Sequence, residues 1–209
     1  MHKNVETTAY RVELHDRILS AAMDMFRKRG VRSVKMDDIA TALSVSKRTL
    51  YEIFENKEVL LLEGVRMETE RRREAANRSF ELHPSNVMDM LLYFYHNQME
   101  EISGATLDFF TDINRYPRVL KYLRNEEATR KRNAQRFFVR GIEEGYFRPD
   151  VNYDIVTRVT KMGIDGVMES NMFDEFSLSE IFSNMIMTFF RGICTAKGLE
   201  VLDNFSMKK

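Results

Sequence analysis

The sequence predicts an all-α protein, and three observations carry that prediction. Apolar residues recur at spacings of three and four along most of the 209 residues. Only three prolines and nine glycines occur, too few for a loop-rich β-sandwich. No segment of useful length alternates apolar with polar residues as a half-buried strand does. With 44% hydrophobic and 31% charged residues, the composition is that of a folded chain able to bury a real core. No apolar run approaches the ~18 residues of a membrane span. The opening stretch MHKNVETTAYRVELH lacks the apolar segment of a secretory signal. A single cysteine, Cys194, excludes an internal disulfide, and a thiolate metal site would need more. The expectation is a cytoplasmic protein with no membrane contact and no cofactor or metal.

Nine helices are expected. From Val12 to Arg29, residues Leu14, Ile18, Ala22, Met25 and Phe26 form one apolar stripe, and Gly30 stands where a C-cap glycine belongs. Two short helices follow at 36–43 and 47–54, separated by Ser44-Val45-Ser46. Asn56 is placed to cap the next helix. Longer helices are expected at roughly 57–80 and 85–102, a shorter one near 104–114, and a long one from Pro117 to about Glu144. Gly145 and Pro149 end that helix. The last two are expected at roughly 153–170 and 179–197, with Ser177 and Glu180 as a capping box before the final one.

Two short helices joined by a tight turn, behind a longer helix, outline a helix-turn-helix. Ala40 provides the small side chain needed where the two helices approach. Val45 plugs the angle between them, and Leu50 and Ile53 face inward. The second short helix then presents Lys47, Arg48, Thr49 and Tyr51 near its N-terminal end. Arg and Lys donate to guanine O6 and N7, and Thr offers a hydroxyl and a methyl group. Ser46 and Lys57 are candidates for phosphate contact. The charge distribution agrees. Net charge is zero, yet residues 1–57 carry 11 Lys and Arg against 8 Asp and Glu.

The stretch GVRSVKMDDIATALSVSKRTLYEIFENKEVLL, residues 30–61, resembles the DNA-binding domain of the TetR (tetracycline repressor) family. The marks are Gly30, Asp38-Ile39-Ala40, Val45-Ser46, Thr49-Leu50-Tyr51, Phe54 and Asn56-Lys57-Glu58. The resemblance implies an all-α homodimer: a three-helix DNA-binding domain, expected at 11–57, and a helical ligand-binding and dimerisation domain at 58–209. It implies a transcriptional regulator, in most cases a repressor, that binds a palindromic double-stranded operator and is released by a small-molecule effector. The implied DNA contacts are Lys35, Ser46, Lys47, Arg48, Thr49, Tyr51 and Lys57. Three positions depart from the family pattern. Lys35 replaces the usual capping Thr, Ser44 the usual turn glycine, and Ile53 a common His or Tyr.

Further along, Met and aromatic residues crowd several helices. If they line the implied pocket they favour an apolar ligand. The candidates are Met88, Leu92, Tyr95, His96, Met99, Phe109, Phe110, Tyr122 and Phe138. The apolar residues of 179–197 cover too wide an arc for one buried stripe. Burial inside a monomer would satisfy that arc; the resemblance instead implies a dimer interface on the last two helices, expected around Met162, Gly166, Phe182, Met185 and Phe189. Nothing converges as a nucleophile–base set, a phosphate loop or a His–carboxylate metal array, so no enzyme activity is expected. The rival readings are a small helical hydrolase, or an interaction module that keeps the fold without binding an operator.

Overall fold

The computed structural model describes residues 2–82 and 86–206. Their regular structure consists of α1 (His2–Arg29), α2 (Met36–Ala42), α3 (Lys47–Ile53), α4 (Lys57–Leu82), α5 (Val87–Ser103), α6 (Leu107–Ile113), α7 (Pro117–Glu143), α8 (Tyr153–Met168), α9 (Leu178–Ile193) and α10 (Ala196–Ser206), with one 3-10 turn at Met172–Asp174. None of the described helices is long and apolar enough to cross a membrane. The chain forms two compact units, one from residues up to Arg78 plus Gly104–Asn125, the other from Ser79–Ser103 plus residues from Glu126 onward.

The first unit is built on α1. Leu14, Ile18, Ala22 and Phe26 of the expected stripe are buried, joined by Leu19 and Met23. They share one core with Val31, Val34, Met36, Ile39, Ala40, Leu50 and Phe54. Leu60, Leu61 and Val65 of α4 lie in this same core, so the compact unit extends past residue 57. Gly30 ends α1 at φ +76°, the left-handed conformation that a glycine adopts freely. α6 docks on that end: the Thr106 amide donates to the Arg27 carbonyl at 2.8 Å. Asp112 of α6, buried, accepts the Arg32 amide at 2.7 Å. The Arg27 guanidinium grips Glu68 through two bonds, 2.5 and 3.2 Å long. α7 begins at Pro117, and the next amide, that of Arg118, is met by Glu58 at 2.9 Å.

α1 reaches back to His2, ten residues before the expected start at Val12. The apolar stripe begins only at Leu14, so periodicity carried no signal for the preceding turns.

The second unit packs Val87, Met88, Leu91 and Tyr95 of α5 with Phe138, Phe147, Phe190, Ile193, Cys194 and Leu202. The Ser177–Glu180 capping box opens α9, with the Glu180 amide on Ser177 Oγ at 3.2 Å and the Ser177 amide on the Glu180 carboxylate at 2.9 Å. The expected helix 179–197 is two helices. Cys194 is extended, at φ −79° and ψ 146°. The segment is held there because the Arg148 amide donates to the Ile193 carbonyl and the Thr195 amide to the Tyr146 carbonyl, each at 2.9 Å. α10 follows, so the described residues hold ten α-helices where about nine were expected. The buried Cys194 thiol is pushed up to about 11 by desolvation.

Gly141 lies inside α7 against Phe147. A Cβ there would sit 1.9 Å from the Phe147 ring, which is buried. Gly141→Ala is expected to lower unfolding free energy by about 2 kcal/mol through overpacking, measurable as a shift in the urea midpoint.

Candidate nucleic-acid interface

The turn between α2 and α3 is closed by its own backbone. The Val45 amide donates to the Ala40 carbonyl at 3.0 Å and the Ser44 amide to the Thr41 carbonyl at 3.1 Å. This pair of bonds is a Schellman motif, which needs a left-handed residue after the helix. That residue is Ser44, at φ +54°. Ala40 is buried at the crossing, as its size requires, and Val45 and Ile53 are half-buried against the core. Leu50 and Phe54 are completely buried and fix the inner edge of α3.

The N-terminus of α3 is capped by Ser46, whose Oγ accepts the Thr49 amide at 3.0 Å and meets the Thr49 hydroxyl at 2.7 Å. Asn56 caps α4 in the same way, its Oδ1 accepting the Val59 amide at 3.0 Å. At α2 the carboxylate of Asp38 accepts the Lys35 amide at 2.9 Å. This is half of a capping box, because the lysine side chain has no oxygen to return the bond.

Lys47, Arg48 and Tyr51 are exposed on α3, with Thr49 half-buried beside Ser46. Positions 47 and 51 share a helix face, and Arg48 lies one residue round from it. Five of the seven expected DNA contacts thus fall within Ser46–Tyr51, and Lys35 stands exposed just before α2. The cations are not bare. Lys47 Nζ lies 2.5 Å from Asp37 Oδ2 and Arg48 Nε 2.8 Å from Glu52 Oε1. Both carboxylates raise the pKa of the cation they hold. Sequence reasoning passed over Asp37 and Glu52. The i,i+4 spacing of Arg48 and Glu52 was the available signal; the Asp37 pairing had none.

Lys57 departs from the expectation of a phosphate contact. Its ammonium donates to the carbonyls of Val31 and Val34 at 2.9 Å and of Arg32 at 3.4 Å. Partial burial holds its pKa below the ordinary lysine value. The side chain ties down the α1–α2 loop.

The candidate ligand residues separate. Phe109, Phe110 and Tyr122 pack in or against the core of the first unit. Met88, Tyr95 and Phe138 lie in the core of the second, with Leu92 and Met99 against it. His96 is a correction: it stands on the exposed side of α5 with Nε2 3.2 Å from Glu100, because its helix position faces away from Met88 and Tyr95. Two shallow depressions, of about 350 and 440 Å³, include none of these residues. Of the expected dimer contacts, Met162 is 72% exposed, in line on α8 with Ile155 at 58%, Val159 at 60% and the exposed Gly166. Phe182, Met185 and Phe189 of α9 are half-buried.

A capped, exposed helix set by a Schellman turn against a three-helix core defines a helix-turn-helix protein of the DNA-binding class. Residues 18–63 match the model of the family described as bacterial regulatory proteins, tetR family. The chain is 27% identical over 166 residues to the HTH-type transcriptional repressor KstR2 of Mycobacterium tuberculosis, spanning 68% of this chain and 72% of that protein. It is 24% identical over 205 residues to the HTH-type transcriptional regulator UidR of Escherichia coli, spanning 94% of this chain and all (100%) of that one. A protein from Saccharomonospora viridis, solved in complex with choline and described as a transcriptional regulator, shares the fold. Its TM-score is 0.70 at 19% identity, over 88% of this chain and 99% of that one. Residues 18–63 thus carry the DNA-binding segment of the TetR family, and the chain is similar to transcriptional regulators along most of its length.

Ser44 carries a Cβ in the left-handed region, which costs an L-residue roughly 1–2 kcal/mol. Ser44→Gly is expected to raise stability by about 0.5–1 kcal/mol, because glycine's greater unfolded-state freedom offsets part of the relief. Thermal unfolding of the two proteins in parallel decides it: an unchanged or lower Tm would mean that Ser44 is not strained.

Proposed function

We propose that this protein is a repressor that binds a palindromic operator as a homodimer and is released by a small, mainly apolar ligand. DNA reading is assigned to residues 11–57, and ligand binding and dimerisation to 58–209. The observation that carries the reading is the gathering of Ser46, Lys47, Arg48, Thr49 and Tyr51 on one rigidly seated helix end. Arg48 and Lys47 are assigned to base edges and Thr49 beside them. Tyr51 stands between base and phosphate, with Ser46 and Lys35 on phosphates. Lys57 supports the site by fixing the loop before α2.

The repressor assignment is supported by the name of the mycobacterial relative. That a small molecule binds is supported by the choline complex of the structural neighbour, and the apolar character of this chain's ligand by the apolar, aromatic surroundings of Met88, Leu92, Tyr95, Met99 and Phe138. A ligand weakens DNA binding only through different affinities for the binding and released states. The dimer assignment is supported by the stripe Ile155, Val159 and Met162 on α8, where the next turn carries Gly166 with open space at its Cβ position. A row of large apolar side chains left in water is the mark of a partner surface. Two half-sites read by two heads also require a dimer.

The test is selection of random duplex DNA by the purified protein, followed by sequencing. A palindrome is expected. With that site in hand, Arg48→Ala is expected to cost about 1–3 kcal/mol of binding and to relax preference at one base pair in each half-site. Retained preference at every position would remove Arg48 from the readout. Met162→Glu would bury a carboxylate in the proposed interface. It is expected to shift the protein from dimer to monomer in analytical ultracentrifugation. A variant that stays dimeric would move the interface away from α8.

A further inference from the structure

The two cations assigned to base edges are both engaged before any DNA arrives, and the residues that engage them come from different elements. Asp37 lies in the first turn of α2, where the helix dipole favours a carboxylate. Glu52 lies one turn beyond Arg48 on α3. The contacts are short, 2.5 Å for Lys47–Asp37 and 2.8 Å for Arg48–Glu52. The neighbouring Asp38 is directed elsewhere, onto the Lys35 amide. Hence the pairing on the reading surface is selective.

We propose that Asp37 and Glu52 are specificity-determining residues, which hold Lys47 and Arg48 on carboxylates so that DNA engages these cations only by out-competing the carboxylates. The inference rests on the DNA-reading assignment above. A lone phosphate oxygen offers little that the carboxylate does not already give, so contact with arbitrary sequence gains little from these two cations. A guanine edge offers O6 and N7 together, which Arg or Lys meets with two bonds, whereas Glu52 takes Arg48 through Nε alone. Exposed pairs of this kind are worth roughly two- to five-fold in an equilibrium. That is small against specific binding, yet it acts on every competing non-specific site. A paired cation also releases no counterion, so the carboxylates flatten the salt dependence of non-specific binding.

The experiment compares Asp37→Asn and Glu52→Gln with the wild type, each also in a background lacking its partner, Lys47→Ala or Arg48→Ala. Circular dichroism verifies folding. Binding is measured by fluorescence anisotropy over a range of salt, on a duplex enriched from random sequence and on an unrelated duplex of equal length. Each carboxylate variant is expected to bind the unrelated duplex about two- to five-fold more tightly. Its salt slope should steepen by about 0.9 per freed cation, and its preference for the selected site should fall. These gains should vanish when the partner cation is absent. Equal gains with and without the cation would overturn the proposal, leaving only general repulsion of phosphates. For Glu52, a loss confined to one base pair of the selected site would also overturn it, because the carboxylate would then be reading a base. If Lys47→Ala and Arg48→Ala leave binding to both duplexes unchanged, the DNA-reading assignment itself falls.

Discussion

The reach of the Val45 amide back to the Ala40 carbonyl sets the direction of α3, and the rest of the proposed reading surface depends on that direction. The bond closes only if the chain passes through the left-handed region at Ser44 and if nothing larger than a methyl group stands at Ala40. Once α3 is aimed, Leu50 and Phe54 fall into the core. Lys47, Arg48 and Tyr51 are then left outside by the helical repeat alone. Ser46 supplies the hydroxyl that ends the turn and begins the helix, so capping and positioning reside in one residue.

Around this turn, much of the polar chemistry of the first unit holds loops rather than helices. Residues 31–34 have no helical bonds of their own. The Lys57 ammonium collects the carbonyls of Val31, Arg32 and Val34 from one side, and Asp112 takes the Arg32 amide from another. A buried carboxylate is costly unless hydrogen-bonded, and Asp112 is stabilised in place by that amide and by Arg115, 3.9 Å away. The loop before α2 is thus held by residues from α4 and α6. This explains why the segment 104–125 belongs to the same compact unit as the head. Arg27 ties three elements together: it pairs with Glu68 of α4, lies 5.4 Å over the Phe109 ring of α6 and accepts the Thr106 amide on its carbonyl.

What could be read from the sequence follows the range of the interaction. Gly30, Asn56 and the Ser177–Glu180 box act over three or four residues, and each was placed correctly from local chemistry. The positions of Ala40, Val45 and Leu50 follow from the steric demands of two helices meeting at a turn. The role of Lys57 did not follow, because its acceptors lie 23 to 26 residues away and carry no side-chain signal. The break at Cys194 was hidden for a similar reason. The residue that would signal it, Thr195, acts through the distant carbonyls of Gly145 and Tyr146. The spaced apolar residues Ile186, Phe189, Phe190 and Ile193 read as continuous helix until that pairing is known. Residue type alone does not distinguish His96, exposed beside Glu100, from a pocket residue; its side of α5 does.

The pairing at residues 146–148 and 193–195 has a practical consequence for observing this protein at work. It buries the chain's single thiol, and desolvation pushes that thiol up to about 11, so little of the reactive thiolate is present at neutral pH. Toward maleimides and iodoacetamides the native protein therefore behaves as though it contained no cysteine. A cysteine introduced at an exposed site such as Glu55 becomes the one reactive handle per protomer. In a symmetric dimer a single substitution then yields a matched pair of spin labels or fluorophores. In the proposed dimer, the distance between the two heads, with and without a candidate ligand, becomes directly measurable without first removing anything from the natural sequence.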